Sequence, residues 1–154
     1  MIATTSKQSE RLVACGVSCK TADMVYMPYG TLSAVPFSDE LGERQCKPAW
    51  SLSAVLNILP KHLDDFPFTK WYQPFLDNEI EEIYSEEVLN GDVKLYFNGT
   101  NWIVDYDWDG FSGSLPQSEN PIEAVVLAIE LLHANGYDFA NIKSTNHSDN
   151  VSKS

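Results

Sequence analysis

The sequence predicts an α+β fold. One domain is expected over residues 1–140, its antiparallel sheet built on a central β-hairpin and packed against N-terminal, middle and C-terminal helices. A disordered polar tail is expected over 141–154. Three observations predict this. Capped segments of helical period stand at both ends and in the middle of the chain. Two alternating apolar runs flank Asn98-Gly99. And 154 residues, 44% of them hydrophobic, suffice to bury one core without covalent staples.

The first helix starts at Thr5 or Ser6, where Thr5 and Gln8 form a capping box, and runs through Leu12, Val13 and Cys15 to a stop at Gly16. Met24-Val25-Tyr26-Met27 reads as a short strand. Pro28 to Pro48 reads as loop, broken by Pro28, Gly30, Pro36, Gly42 and Pro48, with a strand inside Gly30 to Val35. Ser51 caps the middle helix, whose buried face is Leu52, Val55, Leu56 and Leu59, and Pro60 ends it. Trp50, just before that cap, is expected to be buried. The aromatic block Phe66 to Leu76 reads as a strand bounded by Pro67 and Pro74.

Asp77 to Gly91 reads as a helix. Ile80, Ile83, Tyr84 and Val88 fall at helical spacing, and Asn78 with Glu81 fits a capping box before Asn90-Gly91. The hairpin follows, its turn centred on Asn98-Gly99 or on Gly99-Thr100. With either centring Val93, Leu95, Phe97, Trp102, Val104 and Tyr106 share the core face. The final helix is capped by Asn120, carries Pro121 at its first position and Glu123 in a capping box, and stops at Gly136. Its apolar arc (Ile122, Val125, Ile129 and Leu132, widened by Ala124, Ala128 and Leu131) exceeds half the circumference. Such a helix is either wrapped by its own domain or packed on a second copy, so a homodimer is one expectation.

Charge narrows the function. The net charge is −12, and it is unevenly spread: residues 1–70 balance to zero, whereas 71–142 hold fourteen acidic residues against Lys94 alone. A surface for phosphates needs clustered Lys and Arg, so direct binding to nucleic acid or to an anionic membrane is disfavoured. No apolar run approaches the ~18 residues of a membrane span, and the N-terminus lacks the apolar core of a secretory signal. The expected location is the cytoplasm. Cys15, Cys19 and Cys46 then read as reduced thiols. With His62 they supply four candidate zinc ligands, but the spacing matches no common zinc module.

Two segments invite a functional reading. Asp105-Tyr106-Asp107-Trp108-Asp109-Gly110 begins like a calcium loop, making Asp105, Asp107 and Asp109 weak calcium candidates. The twelfth position, where such a loop needs a bidentate glutamate, is Pro116, so the favoured reading is a strand with its aspartates facing water. The run Asp77 to Glu87 offers Glu79, Glu81, Glu82, Glu86 and Glu87 either as a solvated face or as a surface for a basic partner. His133 reads as a surface residue near Glu130, and His147 lies in the tail. A Cys46–His62 pairing is the one catalytic arrangement the composition leaves open.

Three stretches carry a resemblance. Thr21-Ala22-Asp23-Met24, Ala49-Trp50-Ser51-Leu52-Ser53-Ala54 with Leu59-Pro60, and Glu119-Asn120-Pro121-Ile122-Glu123-Ala124 running into Leu132-His133-Ala134-Asn135-Gly136-Tyr137 are similar to a group of small uncharacterised proteins of gut bacteria and their phages or mobile elements. The likeness covers about residues 6–27, 48–60 and 117–139 and lies in caps, a tryptophan anchor and a helix stop. It implies an accessory protein and carries no activity, cofactor or catalytic residue. The functional expectation is therefore a cytosolic protein that binds another protein without catalysis and without a cofactor. The alternatives are an acidic inhibitor that imitates nucleic acid, aimed at a DNA- or RNA-binding protein, and a small enzyme with a Cys/His cleft.

Overall fold

A helix begins where a side chain can satisfy its first open amides, and three of the expected caps do so here. The computed structural model describes residues 2–73, 79–106 and 115–141, the side chains of 71–73, 79–87 and 141 excepted. Helix α1 spans Ser6–Ala14, with the Thr5 hydroxyl accepting the Gln8 amide and the Gln8 side chain accepting the Thr5 amide. Ahead of α3 (Leu52–Ile58) the Ser51 hydroxyl accepts the Ala54 amide. Its buried residues Ala54, Val55 and Ile58 lie partly off the expected stripe, for Leu52 and Leu56 are half-buried.

The chain divides into two compact units, one of Met1–Ile58 with Phe139–Ser154 and the other of Leu59–Asp138. The first contains strands β1 (Met24–Tyr26), β2 (Leu32–Ser33) and β3 (Lys47–Ala49) in antiparallel order β2-β1-β3. It also holds a short helix, α2 (Asp39–Glu43). Neither α2 nor β3 is expected from the sequence. Both lie in the proline- and glycine-broken stretch, where each is too short to show a period of its own.

Trp50 is fully buried in this unit. Its indole N–H donates to the Thr21 hydroxyl at 2.9 Å and its backbone amide to the Thr4 hydroxyl at 3.0 Å, while its carbonyl accepts the Thr4 amide at 2.8 Å. Asp23 accepts the Ser51 amide at 2.9 Å and the Ser51 hydroxyl. Residues of the first two stretches of the resemblance thus bond to one another, as fold anchors.

The second unit pairs two long strands, β4 (His62–Gln73) and β5 (Glu79–Asp92), and forms a separate antiparallel sheet in the order β6-β7-β8 from β6 (Lys94–Phe97), β7 (Trp102–Asp105) and β8 (Gln117–Ser118). The α+β class with antiparallel pairing holds, its strands distributed over three sheets. The helix expected at 77–91 is corrected to β5. Ile80, Tyr84 and Val88 are four residues apart, a spacing that suits one helix face and equally one strand face. The β-favouring aromatics of β4 supply the partner that decides between them.

The hairpin registers Leu95 with Val104 and Phe97 with Trp102, which centres the turn on Gly99-Thr100. Gly99 takes φ +101°, a conformation that side chains with a Cβ avoid, and Asn98 Oδ1 accepts the amides of Thr100 and Asn101. Val104 and Tyr106 are fully buried as expected, and Ile103 is buried as well because β7 is the central strand.

Helix α4 (Pro121–Ala134) is capped by Asn120, whose side chain accepts the amides of Ile122 and Glu123, and Gly136 ends it at φ +97°. Within the unit it packs on β4, β7 and β8. Eight of its residues, Val126 included, are buried within the chain. Of the tail expected over 141–154, Asn141 closes a 3-10 turn, Phe139–Asn141, and the rest lies outside the described residues.

Candidate functional site

The second unit concentrates the charge. It contains sixteen acidic and three basic residues, a balance of −13, against +1 for the first unit. The acidic candidates Glu79, Glu81, Glu82, Glu86 and Glu87 all stand on β5, within nine consecutive positions of one strand. In register, Gln73 lies opposite Glu79, Trp71 opposite Glu81, Lys70 opposite Glu82 and Phe68 opposite Glu87. The run of glutamates is therefore strung along an extended ribbon rather than around a helix.

Asp105 ends β7 and is half-buried, opposite Lys94 on β6. Asp107 and Asp109 lie outside the described residues. Among the described residues no group of three His, Cys, Asp or Glu side chains could hold a metal ion.

The thiols and the described histidines belong to different units. His62 belongs to the second unit and meets Asp92 across the ribbon, Nδ1 to Oδ1 at 2.7 Å, both side chains being more than half exposed. His133 is exposed on α4. Cys46 belongs to the first unit, where its Sγ lies 4.0 Å from Met27 Sδ. Cys19 and Cys46 both line an open cleft of about 430 Å³ in that unit, together with Val13, Phe37, Pro48 and Glu10, and no histidine is among its described lining residues. Burial raises the Cys19 thiol above its ordinary range, and Asp39 pushes it the same way against a backbone hydrogen bond. A thiol held protonated is a poor nucleophile, so its surroundings do not activate Cys19.

The second unit also exposes apolar side chains. Phe97 is 51% exposed, Tyr96 40% and Val88 55%. Phe97 was expected on the core face of the hairpin. It stands on that face beside Trp102, ring centroids 5.4 Å apart, but at the turn end of an edge strand, where the cover has run out. Tyr96 lies on the other face of β6, and alternation alone does not give its exposure, which depends on what lies over each face. The local signal was the juxtaposition of two aromatics with a one-signed stretch of chain.

Exposed aromatic side chains supply contact area at little entropic cost, and the unit's excess of carboxylates repels anions and attracts cations. Among the described residues no helix is long and apolar enough to cross a membrane. No protein-family model, curated protein or solved structure matches the chain.

Proposed function

We propose that this chain is a non-enzymatic cytoplasmic accessory protein that acts by binding another protein, of the kind encoded by phages or mobile elements. The observation that carries the reading is the coincidence, in one unit, of a −13 charge balance with exposed Tyr96, Phe97 and Val88. Aromatic anchors are the side chains that dominate protein interfaces, and a single-signed field steers a partner of opposite sign. The resemblance to small phage and mobile-element proteins agrees with an accessory role.

The test is affinity capture from cells expressing the chain, wild type against Tyr96→Ser/Phe97→Ser, read by quantitative mass spectrometry at two salt concentrations. Specific proteins should be retained by the wild type, lost from the variant, and weakened by salt. An identical set on both baits overturns the reading.

A second reading, an acidic imitator of nucleic acid, draws support from the five glutamates along β5. It predicts that duplex DNA competes with the chain for the captured protein, and a captured protein without nucleic-acid affinity rejects it.

A further inference from the structure

The parity of a β-ladder decides which backbone groups of an outer strand face the neighbouring strand and which face outward. Two hydrogen bonds set that parity here. The Asn98 amide donates to the Asn101 carbonyl at 3.0 Å, so this pair is of the hydrogen-bonded kind. Counting back along the register, Tyr96 with Ile103 and Lys94 with Asp105 are bonded pairs, while Phe97 with Trp102 and Leu95 with Val104 are not. Independently, the Val104 amide donates to Pro116 at 3.0 Å, on the β8 side, so Val104 is not turned toward β6. Both bonds give the same answer: Leu95 and Phe97 direct their N–H and C=O groups away from β7.

On that outward side Val93, of the same parity, donates its amide to the Lys61 carbonyl at 2.9 Å, and the open sheet edge begins beyond it, at Leu95. β6 ends the order β6-β7-β8, and among the described residues no hydrogen bond reaches the backbone of Leu95 or Phe97. Proteins usually blunt such an edge with a lysine in mid-strand, a proline or a bulge. β6 has its lysine at the first position, contains no proline, and pairs with β7 without a register shift. It also exposes two aromatics, Tyr96 and Phe97, which alternate to opposite faces of the sheet.

We infer that the outer edge of β6 receives an extended segment of a partner protein as an additional strand, and that this segment alternates apolar with basic residues. The inference rests on the protein-binding reading above and names its mode. Backbone bonds to Leu95 and Phe97 supply the pairing; Phe97 gives the apolar residues of the incoming strand a cross-strand neighbour on its face, and the Tyr96 ring on the opposite face meets the basic ones. The −13 balance of the unit selects the basic residues. The same balance disfavours a second copy at this edge, since it would set two such units side by side.

The probe is a displayed library of random linear dodecapeptides, selected on the wild-type chain. The strongest peptide is then synthesised and measured on the wild type, on Phe97→Ala and on Phe97→Pro. Proline at 97 removes an outward amide and no ladder bond to β7, so the hairpin keeps its pairing. Selected peptides should alternate apolar residues with Lys or Arg, and Phe97→Pro should bind at least tenfold more weakly than Phe97→Ala. Amide exchange on the unmodified protein gives a second readout that needs no variant. Leu95 and Phe97 should slow at least tenfold on binding, whereas Tyr96, already bonded to β7, should change little.

Peptides that bind both variants equally, or that protect amides elsewhere, overturn strand addition and leave the protein-binding reading standing. An unsuccessful selection also overturns it, and the capture comparison then judges the broader reading alone. Protection of Leu95 and Phe97 in the free protein, together with a doubled mass in sedimentation, assigns the edge to a second copy and overturns the inference too.

Discussion

Asn135 and Lys70, on α4's C-terminal cap and on β4, hold each other through backbone and side chain. Asn135 Oδ1 accepts the Lys70 amide at 2.9 Å, its Nδ2 donates to the Lys70 carbonyl at 3.0 Å, and Lys70 Nζ donates to the Ala134 carbonyl at 3.2 Å. The same Oδ1 takes the Thr69 amide at 2.8 Å, and the β4–β5 register shifts between Phe68 and Lys70. One asparagine therefore satisfies the backbone that the bulge frees.

Replacing that side chain should be costly. Asn135→Ala strands two part-buried amides and a carbonyl, so a loss of about 2–4 kcal/mol is expected by denaturant unfolding, at about 1–3 kcal/mol for an unsatisfied buried group. A change below about 0.5 kcal/mol would show that water replaces the amide without penalty.

Trp50 anchors the other unit. Trp50→Ala removes a fully buried side chain and should cost about 3–5 kcal/mol. Thr21→Val keeps the shape but removes the acceptor of the indole N–H, and should cost about 1–3 kcal/mol. Chemical denaturation of both variants checks the order of the two effects.

Tyr106 makes stability depend on alkaline pH. Its hydroxyl donates to the Pro60 carbonyl at 2.6 Å, and burial raises the phenol far above the ordinary tyrosine value of 10.0, with Tyr137 adding to the shift. Above pH 10 the unfolded chain loses this proton while the folded one keeps it, so the folded state is disfavoured as pH rises. The contribution is intact below pH 10 and falls by about 1.4 kcal/mol per pH unit above it. Tyr106→Phe should flatten the decline between pH 10 and 11.5 while costing about 1–2 kcal/mol near neutrality. Equal slopes for the two proteins would reject the assignment.

Calcium should matter little. Asp105 closes a strand rather than opening a loop between helices, so millimolar calcium is expected to raise the melting temperature only marginally. A clear shift at micromolar calcium that Asp107→Asn abolishes would reverse this view.

What the residues determined unaided was local. Thr5 with Gln8, Ser51 with Ala54 and Asn120 with Glu123 are bonded three positions apart, and the Gly99 turn involves four consecutive residues, so neighbours in sequence already contain the physics. The charge imbalance between the units is likewise a property of composition. Tertiary structure decided the rest, because it depended on distant partners. Residues 79–92 satisfy either period, and became a strand through pairing with β4. Asn135, beside the expected stop at Gly136, is recruited by a strand 65 positions away. Phe97 follows the alternation of a core residue, yet its exposure and its outward backbone are set by the ladder and by where the covering elements end. Local bonding is written in spacing, whereas an edge exists only once the neighbouring strands are known.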